Sequence, residues 1–181
     1  FIFEIIILYF GLTILCLFSY YFFGMNAFDS LIHCLTTIST GGFSNKSLSF
    51  GYFDSYSLEN ISTFFMILGS LPFVIFIKFI HGQRNSIYKD DQIKLFLFLL
   101  ISIIFITSIW LKNYLNIDWF QALRLATFNI TSILTGTGYT SSNYNNWGSF
   151  GLVTILMIMF VGGCAGSTTG GVKIFRFQIL F

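Results

Sequence analysis

An apolar segment that stops half-way and ends in a Thr- and Gly-rich turn constrains a fold severely, and this chain contains two. Residues 28–39 run into Thr37-Ile38-Ser39-Thr40-Gly41-Gly42-Phe43-Ser44. Residues 119–134 run into Ile133-Leu134-Thr135-Gly136-Thr137-Gly138-Tyr139-Thr140. Neither segment has the roughly 20 apolar residues that a bilayer crossing takes. Each lies between longer apolar runs, and each turn closes on Gly-aromatic-hydroxyl. Irregular backbone at membrane depth survives only where protein or a water-filled cavity satisfies its polar groups. Around such a cavity, backbone carbonyls can replace the hydration shell of a cation. The two turns therefore imply a cation pore assembled from repeated units.

Composition supports a membrane setting. Hydrophobic residues are 55% of the chain and charged residues 9%, against about 25% charged in soluble domains. A net charge of +2 without a basic run argues against nucleic acid as a partner. Cys16, Cys34 and Cys164 are scattered through apolar or turn-like sequence, without metal-ligand spacing, and read as buried reduced thiols. The chain starts at Phe1 and stops at Phe181 inside apolar runs, which reads as part of a longer protein. A signal peptide over residues 1–21 is disfavoured by Glu4 and by the lack of a basic leading region.

The order of segments repeats. Residues 1–23 form a full span, 28–39 a half-length segment, 45–59 a polar and aromatic stretch, and 61–80 a second span kinked at Pro72. A charged loop over 81–94 holds Arg84, Lys89, Asp90, Asp91 and Lys94. Then come a span over 95–111, the half-length segment 119–134, a polar stretch at 143–147 and an apolar run from 150. Superposing Gly42-Phe43 on Gly138-Tyr139 gives an offset of 96 residues, at which His33 meets Asn129 and Thr37 meets Ile133. The division is thus a repeat over 1–80, a basic connecting loop over 81–94, and a second, parallel repeat over 95–181. Lys78, Arg84, Lys89 and Lys94, with Lys173 and Arg176, put that loop and the C-terminal end on the cytoplasmic side. Lys46, Lys112 and Arg124 fall on the opposite side, from which both turns are entered.

Chemically, the turns suit coordination by carbonyls. Glycine permits the backbone angles that a run of inward carbonyls demands. Each half-helix would present its partly negative C-terminal end to an ion, with Asp29 and Asp118 favourably placed near the N-terminal ends. No acidic residue lies in either turn, which argues against a carboxylate ring. A third feature, Gly162-Gly163-Cys164-Ala165-Gly166-Ser167-Thr168-Thr169-Gly170-Gly171-Val172-Lys173, interrupts the last span after about a dozen apolar residues, too few to cross. It lacks the Gly-Lys-Ser/Thr ending of a phosphate loop and the Gly-x-Ser-x-Gly of a nucleophile elbow. It reads as a flexible gate, with close helix packing as the alternative. His33 reads as a locally bonded residue rather than a metal ligand, His81 as a solvated loop residue, and Glu4 as either pore-facing or snorkelling to the surface. No catalytic constellation is present, so the chain does not read as an enzyme.

Phe28-Asp29-Ser30-Leu31-Ile32-His33 leading into Thr40-Gly41-Gly42-Phe43-Ser44, together with Thr135-Gly136-Thr137-Gly138-Tyr139 and the 162–173 block, resembles the Trk/Ktr/HKT superfamily of potassium transporters, and Trk-type uptake subunits in particular. The resemblance covers nearly the whole chain, and the last block is its most specific part. It implies an all-α membrane protein with four span–pore helix–span repeats around a pseudo-fourfold pore, of which these would be the second and third. It makes Gly42 and Gly138 the filter glycines. The carbonyls of Thr40, Gly41, Gly42, Phe43, Gly136, Thr137, Gly138 and Tyr139 would line the potassium path, with residues 162–171 as an intramembrane gating loop. It further implies a homodimer in the cytoplasmic membrane, a cytosolic nucleotide-binding regulatory subunit and no cofactor. Thr168-Thr169-Gly170 departs from the family by carrying a Thr where a Gly is expected. Sodium-permeable members place Ser at a filter Gly, which keeps a sodium pathway as the alternative; a membrane scaffold or enzyme is the other.

Overall fold

The computed structural model describes residues 2–83 and 86–180; Phe1, Arg84 and Phe181, assigned above to a span, a loop and a repeat, lie outside the described residues. Among the described residues the secondary structure is helical, with a single isolated parallel bridge between Val161 and Val172. Helix α1 (Ile2–Phe22) has 21 residues, about 31 Å at 1.5 Å per residue, which matches the hydrocarbon core. Its buried residues Thr13, Cys16 and Tyr20 recur at helical spacing, while Phe3, Ile7, Phe10, Phe18 and Phe22 are exposed. One narrow stripe packs on protein and the remaining apolar surface suits lipid.

Helix α2 (Ala27–Ile38) is the first half-helix. Asn26 starts it by accepting the Asp29 N–H at 2.7 Å, and it ends at Ser39. The expected kinked span over 61–80 is instead two helices, α3 (Tyr56–Ser70) and α4 (Phe73–Ile80), set at 91°. Pro72 lacks an N–H and sits at the break, but a proline kink is far shallower than this; the Gly-rich stretch described below completes it. Helix α3 also begins earlier than its apolar sequence, because Ser55 caps it and brings the polar Glu59 into the helix. A short helix α5 (Ser86–Lys89) precedes α6 (Asp91–Leu115), the second uninterrupted span. Asp90 caps α6 at its start, and Asn116, at φ 51°, ends it in the left-handed region. The second half-helix, α7 (Trp119–Leu134), coincides with the expected boundaries. Helix α8 (Gly148–Ile158) then stops after 11 residues, and the chain resumes as helix only at α9 (Ile174–Leu180).

Two apolar clusters organise these elements. One is built on α6, α7 and α8 from Phe96, Leu100, Leu111, Ile130, Leu134, Trp147 and Ile155. The other is built on α1, α2 and α3 from Cys16, Tyr20, Ile38, Phe50, Phe65 and Met66, yet it also includes Phe128 and Tyr139 of the second unit. The units are therefore interleaved at the turns, and all three cysteines are buried and unpaired.

Candidate functional site

The two turns have one backbone, written in different residues. Ser39 N–H donates to Leu35 O at 3.2 Å, and Thr135 N–H to Thr131 O at 2.9 Å. Thr40 N–H reaches Thr37 O at 3.1 Å where Gly136 N–H reaches Ile133 O at 2.9 Å. Gly42 N–H reaches Thr36 O at 3.3 Å where Gly138 N–H reaches Ser132 O at 3.1 Å. Positive φ recurs in register: Thr40 at 52° with Gly136 at 72°, and Gly42 at 65° with Gly138 at 85°. Each pair is separated by the same 96 residues. Each turn thus folds back over the C-terminal end of its own half-helix and satisfies carbonyls that a helix end leaves open.

A hydroxyl on each half-helix secures the aromatic residue of its turn. Thr36 Oγ1 donates to Phe43 O at 2.9 Å, and Ser132 Oγ to Tyr139 O at 2.7 Å. Of the eight carbonyls expected to coordinate an ion, these two are consequently held from behind. The carbonyls of Thr40, Gly41, Gly42, Gly136, Thr137 and Gly138 accept no hydrogen bond among the described residues. Six carbonyls without a protein donor are thus concentrated in two adjacent turns, those of Thr40 and Thr137 in buried residues and those of Gly41, Gly136 and Gly138 in exposed ones. No group of three or more His, Cys, Asp or Glu suited to a metal ion occurs among the described residues.

The turns touch. A Cβ on Gly42 would collide with the Thr137 carbonyl, which packs against that glycine, whereas a Cβ on Gly138 would meet nothing within 4 Å. The Tyr139 side chain is fully buried behind the first half-helix. Its hydroxyl lies 2.5 Å from Thr36 Oγ1, 3.2 Å from Thr37 Oγ1 and 3.1 Å from His33 O. Tyr20 of α1 extends this network to Thr37 Oγ1 at 2.8 Å. Phe43, in the matching position of the first turn, is 76% exposed.

Behind the turns, His33 and Asn129 hold the outgoing chain. His33 Nδ1 lies 2.8 Å from Asp29 O, which can only accept, so Nδ1 carries the proton; in the neutral ring Nε2 then accepts from Ser44 Oγ at 2.9 Å. Asn129 accepts from Ser141 N–H at 3.0 Å and donates to Ser141 Oγ at 2.8 Å. His33 is therefore a local tether, as its sequence context suggests. Asp29 is fixed by Asn26 and Asn45 and pairs with Lys46 at 3.3 Å. Burial opposes its charge, but the hydrogen bond from Asn45 and the Lys46 ammonium hold the carboxyl below the usual carboxylate range. A cavity of about 510 Å³ lies beside the turns, lined in part by Ser47, Leu48, Gly51, Thr140, Ser142 and Asn145.

The third stretch is unwound, as expected, but it is closely tied. Gly162 N–H donates to Val172 O at 2.8 Å and Ile174 N–H to Gly163 O at 3.2 Å, closing residues 163–171 into a lobe. The lobe docks on the break between α3 and α4. Cys164 N–H donates to Ser70 O at 3.1 Å, Thr168 N–H to Gly69 O at 3.2 Å, and Phe73 N–H to Gly166 O at 3.0 Å. Groups orphaned by breaking one span are thus satisfied by the interruption in the other. Inside the lobe, Thr169 Oγ1 accepts from Gly163 N–H at 3.2 Å and contacts Ser167 Oγ at 2.7 Å. Lys173 Nζ donates to the carbonyl of Thr169 and sits 3.0 Å from its hydroxyl.

Sequence reasoning singled out Arg124 and Glu59 only as a charge and as part of a polar stretch. The structure joins them: Arg124 Nε and Nη2 bind the two Glu59 carboxylate oxygens at 2.8 and 3.0 Å, and Nη2 also reaches Asp54 at 3.0 Å. This pair fastens α7 of the second unit to α3 of the first. Thr36 and Ser132 were also missed, although both are hydroxyl residues at the 96-residue offset and could have been found by it.

A family model described as TrkH, cation transport protein, matches residues 2–181. The Trk system potassium uptake protein TrkI of Halomonas elongata is 41% identical over 173 residues, covering 95% of this chain and 35% of that protein. The Trk system potassium uptake protein TrkH of Vibrio parahaemolyticus is 34% identical, with 96% of this chain and 36% of that protein covered. A crystal structure of the potassium transporter TrkH from Vibrio parahaemolyticus superposes with a TM-score of 0.91 at 33% identity, over 96% of this chain and 38% of the other. The chain spans a little over a third of the length of these relatives. With apolar membrane-length helices, paired turns and a matching family model over residues 2–181, the chain belongs to the TrkH family of cation transport proteins, a family of membrane transporters rather than enzymes.

Proposed function

We propose that this chain supplies two filter turns and the gating loop of a potassium-uptake pathway in the cytoplasmic membrane. The observation that carries the reading is the repetition of one turn backbone, with positive φ at Thr40/Gly136 and Gly42/Gly138 and six carbonyls left without hydrogen bonds. Carbonyls that no protein group occupies can replace the water of a dehydrated cation. Potassium is the substrate favoured, because the relatives are named potassium uptake proteins and both turns keep Gly at the position before the aromatic residue. The repeats over 1–80 and 95–181, joined by the basic loop over 81–94, run in parallel with that loop in the cytoplasm. The Gly162–Gly171 lobe forms the constriction below the turns, and its packing on Gly69 and Ser70 supports that placement. The transporter works as a homodimer with a cytosolic nucleotide-binding regulatory subunit, for which the 81–94 loop and the C-terminal end are candidate contacts.

The test is potassium and sodium uptake by cells lacking their own potassium importers and expressing the full-length gene product with and without Gly138→Ser. Potassium-selective uptake that becomes weaker or sodium-permeable in the variant supports the filter reading. Unchanged selectivity in a well-expressed variant overturns it, and sodium uptake by the unmodified protein selects the sodium pathway instead.

A further inference from the structure

Thr40 is the residue least suited to its own turn. It holds φ at 52°, in a region that β-branched side chains avoid, while the second turn places Gly136 at the matching position. Strain retained against an available glycine solution points to a task for the side chain. Its hydroxyl shows the task, its one proton shared between Ser39 O at 2.7 Å and, across the molecule, Thr168 O at 3.0 Å. Thr168 in turn uses its N–H and its Oγ1 on Gly69 O, at 3.2 and 3.0 Å. A Cβ on Gly69 would meet Thr168 Oγ1 at 3.3 Å, Ile38 O at 3.4 Å and Thr40 Cγ2 at 3.7 Å, so half-helix, turn, lobe and broken span converge there. The lobe passes beneath the second turn as well, where Gly170 N is 3.6 Å from the Cβ position of Gly136, but among the described residues the Thr135 and Thr137 hydroxyls bond within their own turn instead.

We infer that Thr40 is a positioning residue: its hydroxyl latches the Gly-rich lobe to the underside of the first turn, through Thr168, and so sets how readily the lobe leaves the ion path. The inference rests on reading the turns as a filter and the lobe as its gate. Because Gly162 pairs with Val172 and Ile174 with Gly163, the lobe moves as a closed unit. Leaving its site breaks the Thr40–Thr168, Thr168–Gly69, Cys164–Ser70 and Gly166–Phe73 hydrogen bonds together and exposes the open backbone groups of the α3–α4 break.

Cys164, fully buried within the lobe, is a native reporter of its displacement. The experiment measures its modification by a methanethiosulfonate reagent in proteoliposomes of the full-length gene product with other cysteines replaced, alongside the potassium-to-sodium uptake ratio. Loss of one net hydrogen bond corresponds to roughly fivefold in an opening equilibrium. Thr40→Gly, which keeps the backbone and removes the hydroxyl, is expected to speed modification about fivefold. Thr40→Ser is expected to stay within about twofold of the parent. Thr40→Val removes the hydroxyl at nearly unchanged side-chain volume and is expected to act like Thr40→Gly, which secures the test should that variant fold poorly. Parental modification rates in both folded variants overturn the latch, as does a Thr40→Ser variant as reactive as Thr40→Gly. An unchanged ion ratio in Gly138→Ser, measured in the same vesicles, instead removes the filter reading and leaves the latch result standing on its own.

Discussion

The first and second turns share a backbone and differ in almost everything around it. Gly42 is pressed against the Thr137 carbonyl of the neighbouring turn, while the side-chain direction of Gly138 is open. Tyr139 is buried in a hydroxyl network behind the first half-helix, while Phe43 is exposed. Thr40 takes a conformation that Gly136 takes freely. The repeated element is therefore a hydrogen-bonding pattern at a helix end, which many sequences can satisfy. The individual residues record which neighbour each turn meets, so low identity between the units coexists with matched geometry.

The sharpest way to break this comparison is to add one methyl group to each turn. Gly42→Ala meets both the left-handed φ penalty and a backbone carbonyl that cannot move far. A loss of about 3–5 kcal/mol is expected. Gly138→Ala meets the φ penalty alone, about 1–2 kcal/mol. Thermal unfolding of the two purified variants in one detergent compares them directly. Equal shifts would mean that the turns do not abut as described.

The fastening between units comes next. Glu59 is 3% exposed and pairs with Arg124, which α7 delivers. Glu59→Gln leaves the guanidinium without its bidentate partner and is expected to cost about 2–3 kcal/mol, at the lower end for a broken buried pair because Arg124 keeps some exposure. Asp54→Asn, at an exposed carboxylate, is expected to change stability little. A cycle combining Glu59→Gln with Arg124→Gln measures the coupling; additive losses would show that the ion pair does not join the units.

A smaller effect tests the aromatic asymmetry. Tyr139→Phe copies the first turn's residue into the second and removes the hydroxyl bonded to Thr36. With its neighbours Thr36 and Thr37 losing a buried partner, the expected cost is about 1–2 kcal/mol. Phe43→Tyr, on an exposed ring, is expected to be neutral to within about 0.5 kcal/mol. If the two exchanges have the same effect on the melting temperature, the network behind the first half-helix contributes nothing.

These contrasts also mark how far the sequence can be read. The spans at Ile2–Phe22 and Asp91–Leu115, the half-helices, the turns and the interruption after Ile158 all follow from local signals: apolar length, capping residues, and Gly with Thr. The 96-residue offset carries over to the hydrogen bonds of the turns, because those bonds close within a few residues. The sharp break at Leu71–Pro72 was not legible, since the groups that stabilise it are supplied by Cys164, Gly166 and Thr168, nearly a hundred residues away. Long sequence separation likewise hid the Glu59–Arg124 pair, 65 residues apart, and the insertion of Tyr139 into the first unit's core. The 162–171 stretch was legible as unwound, but not as a closed and docked lobe, because composition reports backbone freedom and not the partners that remove it.

The smallest expected effect asks why Gly136 is a glycine at all. Its φ of 72° favours glycine, yet the nearest atom to an added Cβ is Gly170 N at 3.6 Å, an ordinary contact. Asn tolerates the left-handed region better than other non-glycine residues. Gly136→Asn is therefore expected to cost only about 0.5 kcal/mol, less than Gly138→Ala despite the larger side chain. Thr40 already shows that a side chain can be carried at this position of the turn when it finds a partner. A melting temperature close to the parent's would confirm that backbone angle alone selects glycine at 136, and that the first turn accepts its strain for the hydroxyl. A severe loss would mean that the approach of the Gly-rich lobe beneath the second turn is tighter than the 3.6 Å contact implies, and the two turns would then differ in how closely each holds the lobe rather than in which residue reaches it.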